Sequence, residues 1–117
     1  MNFKSNETFA SQIVKRIKTG IFGGRYAAGS KLKAIRELAA ECEVNPSVVV
    51  KAYAELEADG LIFTDGTLGK FVTCDTETIK RKREEFLLDR FEEFKSELRE
   101  CGVSEEEFLC MTKKYRA

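Results

Sequence analysis

Apolar residues recur at steps of three and four from Thr8 to about Ile21 (Phe9, Ile13, Val14, Ile17, Ile21), which predicts an amphipathic helix with one face turned to a core. Gly20, Gly23 and Gly24 are expected to end it, with a loop to Gly29 and a short extended Lys31-Leu32. The spacing returns at Ile35, Leu38, Ala39 and Cys42, for a second helix from about Ala34 to Cys42. Asn45-Pro46 opens a third. An asparagine side chain at an N-cap accepts from an orphaned backbone N–H, and proline at the first helical position gives up no hydrogen bond. This helix is expected from Pro46 to about Asp59, closed by Gly60. Two short helices on a tight connection make a helix-turn-helix.

The period then changes. Leu61–Thr64 and Lys70–Cys74 are β-prone runs separated by a stretch holding Gly66 and Gly69, the pattern of a hairpin. From Asp75 the turn signals vanish and charge dominates. Leu87, Phe91, Phe94, Leu98 and Cys101 follow at steps of four, three, four and three, a coiled-coil spacing, with Ile79, Phe86 and Leu88 widening the apolar surface. Gly102 ends this helix, and Ser104 to Glu107 forms a capping box for a last one carrying Phe108, Met111 and Tyr115. The fold class is mainly α with a small β-hairpin. A winged helix-turn-helix over residues 6–74 is followed by a two-helix dimerisation tail over 75–117. A long helix with so many outward aromatics needs a covering surface. It either packs back on its own head or, the reading favoured here, pairs with a second copy through Phe86, Leu87, Phe91, Phe94 and Leu98.

Composition narrows the function. At 117 residues the chain has room for one modest core and an appendage. It has no apolar run long enough to span a bilayer and no signal-peptide pattern, so a cytoplasmic, membrane-free protein is expected. Its formal net charge is zero, and ten basic against eight acidic residues up to Val72 give the head only +2. Nucleic-acid binding would therefore rest on local placement of charge. The chain has no histidine, and Cys42, Cys74, Cys101 and Cys110 form no C-x-x-C pair. That pattern argues against a zinc site, a cofactor or an enzyme, and reads as free thiols, with Cys42 and Cys101 in the core or seam. A redox sensor would need an exposed, activated thiol.

The string Ile35-Arg-Glu-Leu-Ala39, Val44-Asn-Pro46, Val49-Val-Lys-Ala-Tyr53, Glu55-Leu56, Gly60-Leu-Ile62, Gly69 and Phe71-Val72 resembles the GntR family of transcription regulators. Gln12-Ile13 and Gly29-x-x-Leu32 fit as well. The short tail is similar to that of the YtrA-type branch, and is too small for a conventional small-molecule pocket by itself, so no effector is named. The resemblance implies a regulator, a repressor in the first instance, binding double-stranded DNA as a homodimer on a palindromic operator. It assigns DNA contact to Lys33, Arg36, Asn45, Ser47, Val48, Lys51, Gly69 and Lys70. Bland roles stand beside these: Arg36 as a surface residue paired with Glu37, and Asn45 as a helix cap.

The departures from the family pattern are specific. Leu32-Lys33-Ala34 stands where Leu-Pro-Ser is usual, so a cap and a hydroxyl are lost and Lys33 offers charge in their place. Val48 replaces a threonine, Glu43 replaces a turn glycine, and Asp65, Thr67 and Leu68 interrupt the basic wing. The competing reading is a winged helix that has become a protein-interaction module without DNA binding. Steep salt dependence separates the two.

Overall fold

The computed structural model describes residues 8–115. Its elements run α1 (Phe9–Phe22), α2 (Ile35–Cys42), α3 (Pro46–Ala58), β1 (Ile62–Asp65), β2 (Gly69–Val72), α4 (Thr76–Glu100) and α5 (Glu105–Lys114). The chain clusters into two compact units, residues 1–81 and 82–117. The first thus extends past Cys74 to take in the opening of α4, where Ile79 packs against the head's core.

Thr8 caps α1, its side chain accepting from the Ser11 N–H at 3.0 Å. The helix does not stop at Gly20. It continues to Phe22, and Gly20 is buried inside it because the Tyr26 ring lies against it: a Cβ there would sit 2.5 Å from a ring carbon. The apolar face of α1 (Ile13, Val14, Ile17, Ile21) meets Val49, Ala52, Tyr53 and Leu56 of α3 in one cluster, joined by Leu38 of α2 and by Leu61, Ile62 and Val72 of the hairpin. Each fully buried valine, leucine or isoleucine of this cluster contributes about 1.5–3 kcal/mol of transfer free energy.

Between α2 and α3 the chain turns at Glu43, which takes the left-handed conformation (φ 55°) and is the one non-glycine residue with positive φ among those described. The Val44 N–H donates to the Ala39 carbonyl at 3.0 Å and Glu43 N–H to Ala40 at 3.3 Å, the closure of a Schellman turn. Asn45 is the N-cap of α3 by backbone geometry, but its side chain makes no capping hydrogen bond, contrary to the sequence expectation. Pro46 at the first helical position already removes one orphan donor. Ala34, at the N-cap of α2, likewise provides no side-chain cap.

The hairpin is antiparallel, with Ile62 opposite Val72, Phe63 opposite Phe71, Thr64 opposite Lys70 and Asp65 opposite Gly69. Its ends lie within two residues of those expected. A third segment joins it: Lys31 bridges Phe71, with Leu32 N–H donating to the Lys70 carbonyl and Val72 N–H to the Ser30 carbonyl, both at 2.9 Å. The extended Lys31-Leu32 segment is therefore bridged to the open edge of β2.

Asp75 caps α4, accepting from the backbone N–H groups of Glu77 and Thr78 and from the Thr78 hydroxyl. In the second unit the capping box at Ser104 and Glu107 opens α5 as the sequence indicates. Phe94 meets Phe108 edge-on at 4.9 Å, and Val103 N–H donates to the Leu98 carbonyl. Neither α4 nor α5 contains a fully buried residue.

Candidate nucleic-acid interface

Burial of Val49, Ala52, Tyr53 and Leu56 fixes the orientation of α3, because a helix that turns these inward must turn Ser47, Val50, Lys51 and Ala54 outward. Asn45 and Ser47 are exposed at its N-terminal end, where free N–H groups and the helix dipole favour an anion. Lys51 follows one turn later. Val48 is half-buried against the core, and the valine that faces outward is Val50, half exposed. Val48, expected from the sequence to meet DNA, thus turns partly toward the core, and Val50 is the more outward neighbour. The inward positions of α3, once fixed, would have identified Val50.

Tyr53 ties this helix to the segment before α2. Its hydroxyl donates to the Lys33 carbonyl at 2.6 Å, and burial pushes its pKa to about 12, so it remains a donor throughout any working range. Arg36, in the first turn of α2, is exposed and makes no ion pair or hydrogen bond among the described residues, Glu37 included.

The head's cations sort into two groups. Lys33 pairs with Glu41, which also accepts from Arg16 at 2.9 Å; the Lys33 hydrogen bond holds the Glu41 carboxyl below its ordinary value. Lys70 pairs with Glu57 and contacts the Thr64 hydroxyl at 2.6 Å, and the Lys70 hydrogen bond likewise lowers Glu57. Lys18 pairs with Asp59 at 3.1 Å. Lys15, Lys31, Arg36 and Lys51 have no such partner among the described residues. Two of the anticipated DNA contacts, Lys33 and Lys70, are thus already engaged by carboxylates, and two, Arg36 and Lys51, are available. Gly69 sits at the start of β2 beside the hairpin turn.

All four cysteines are free thiols, and Cys42 packs against the core as its place on the inner face of α2 indicates. Cys42 is half-buried, with Arg16 Nη1 3.6 Å from its sulfur, while Cys74, Cys101 and Cys110 are exposed in the chain. Of the anticipated dimer residues, Leu87, Phe91 and Phe94 are exposed, and Phe86 and Leu98 are half-buried.

Three packed helices, the second and third joined by a tight turn, with a hairpin wing behind them, define a winged helix-turn-helix head of the kind found in bacterial regulators. The model of the bacterial regulatory proteins of the gntR family matches residues 9–72, and the chain belongs to that family. A solved GntR family transcriptional regulator from Listeria monocytogenes is similar over the whole length: 37% identity, TM-score 0.87, covering 97% of this chain and 100% of that one. The HTH-type transcriptional repressor YtrA of Bacillus subtilis is 35% identical over 75 residues, 64% of this chain and 58% of that protein, which supports a regulator of the YtrA type. AraR(DBD), solved in complex with operator ORR3, shares 25% identity and a TM-score of 0.53 over 55% of this chain and 77% of that one. No helix among the described residues is long and apolar enough to cross a membrane.

Proposed function

We propose that this regulator is a repressor that binds a palindromic operator as a homodimer, each head placing the N-terminal half of α3 in a major groove. The observation that carries the reading is the exposed face of α3 together with the partner-free Arg36 and Lys51. Arg36 and Lys51 reach phosphate or a guanine edge, Asn45 and Ser47 contact backbone or base edges near the helix N-terminus, and Val50 meets a thymine methyl. Freed from capping, the Asn45 side chain is available for this. Lys33, Val48 and Gly69 support the surface from its margins, while Lys70 is held by Glu57. That YtrA of Bacillus subtilis is a repressor, and that AraR(DBD) has been solved on an operator, favour the same role here.

Dimerisation follows from the tail. Leu87, Leu88, Phe91 and Leu109 remain at least half exposed in the second unit. So many exposed large apolar side chains are costly in water, and a second copy covers them with one self-complementary surface. Selection of bound sequences from a random DNA pool tests the proposal. Enrichment of an inverted repeat supports it, and enrichment of no sequence overturns it.

A further inference from the structure

The wing has few cations of its own at the turn, where Asp65, Thr67 and Leu68 stand. Its one lysine, Lys70, faces Thr64 across the sheet and is drawn to Glu57 of α3, on the side turned toward the core. The opposite side is different. Lys31 stands directly across from Phe71, and Phe71 directly across from Phe63, with ring centroids 5.7 Å apart, so all three side chains leave one face. Gly69, two residues from Phe71 toward the turn, presents the same face. The stem of Lys31 lies along it: a Cβ on Gly69 would come 3.2 Å from Lys31 Cε and 3.9 Å from Nζ. Lys31 therefore projects lengthwise over β2, from the level of Phe71 to that of Gly69, and delivers its ammonium to the turn end of the hairpin. It is exposed, and among the described residues it has no ion-pair partner; Asp65, opposite Gly69, does not pair with it.

We propose that Lys31, and not Lys70, is the wing's contact to the DNA phosphate backbone, positioned by the missing side chain at Gly69. The inference rests on the DNA-binding reading above. It explains a wing that looks poorly basic in sequence: the cation comes from an extended segment that precedes the helix-turn-helix. Gly69, at φ 121°, is suited to the role because its backbone both adopts a conformation rare for L-residues and leaves room for the lysine stem.

The test is the salt dependence of binding to a short duplex of mixed sequence, because each phosphate neutralised adds about 0.9 to the slope of log K against log salt. Lys31→Gln should flatten that slope by about 0.9 per bound head, and Lys31→Arg should restore it. Lys70→Gln should leave the slope unchanged while lowering the melting temperature, since it breaks the tie to Glu57. A wild-type slope retained in Lys31→Gln, or a Lys70→Gln slope flattened as much, overturns the assignment. A wild type that binds with no salt dependence overturns the DNA-binding reading itself, and the inference falls with it.

Discussion

Arg36 and Lys51 are exposed cations with no carboxylate partner among the described residues, while Arg16, Lys18, Lys33 and Lys70 are paired. Replacing either with alanine removes little that the folded chain uses. Each variant should melt like the wild type and lose about 1–3 kcal/mol of operator affinity where the contact is to a base edge. Titration of labelled operator checks this, and two variants that bind like wild type would relocate the recognition surface. Glu43 is the opposite case, a residue whose backbone matters more than its side chain. A left-handed conformation costs a non-glycine residue about 1–2 kcal/mol, partly offset by the extra chain entropy a glycine loses on folding. Glu43→Gly should therefore raise stability by about 0.5–1 kcal/mol, seen as a higher melting temperature. A lower one would mean that the Glu43 side chain makes a contribution its exposed position gives no sign of.

At the scale of elements, helices were readable because their apolar period is local. The steps of three and four along α1 and α2 fix both existence and facing, those along α4 its existence, and α3 is marked instead by Asn45-Pro46 at its start and Gly60 after its end. What was hidden depends on distant partners. The pairing of the extended Lys31-Leu32 segment with β2 shows only in the fold, as does the reason for glycine at position 20, where the Tyr26 ring occupies the space of a side chain. The engagement of Lys33 and Lys70 was equally invisible, since Glu41 and Glu57 approach through the fold. The Lys33–Glu41 tie, extended by Arg16, joins the segment before α2 to the C-terminal turn of α2 and to α1. Its pH window follows from the two shifts. The hydrogen bond with Lys33 lowers Glu41 from 4.5, so its contribution is complete above that value and is lost as pH falls through the lowered one. The hydrogen bond with Glu41 raises Lys33 from 10.5, so its contribution is complete below that value and is lost as pH rises through the raised one. Glu41→Gln should lower the melting temperature between these limits and reduce its fall on acidification. An unchanged acid limb would show that the exposed pair adds nothing to stability, as many surface pairs do.

For the whole molecule, zero net charge is compatible with DNA binding because what a phosphate meets is the local placement of cations on one face. Glu41 pairs with Lys33 and Arg16, Glu57 with Lys70 and Asp59 with Lys18, while Lys15, Lys31, Arg36 and Lys51 have no carboxylate partner among the described residues. Composition sums over both groups and so conceals the difference. The tail adds a second requirement. Its exposed Leu87, Leu88 and Phe91 have no cover within their own unit, and a second copy would supply it while fixing the distance between two heads. Successive major grooves on one face of a duplex recur every helical turn, so a dimer held by its tails reads half-sites at that spacing.

That coupling of tail to head gives the most direct measurement: operator affinity before and after insertion of about five base pairs, half a turn, between the half-sites. The insertion carries one half-site to the opposite side of the duplex. Wild-type protein should then lose about 10²-fold or more in affinity, the advantage that linking two sites confers. The double variant Phe91→Glu, Phe94→Glu, monomeric on this account, should bind both duplexes with the same weak affinity. Wild-type protein that binds the lengthened operator as tightly as the original would contradict a dimer reading two half-sites.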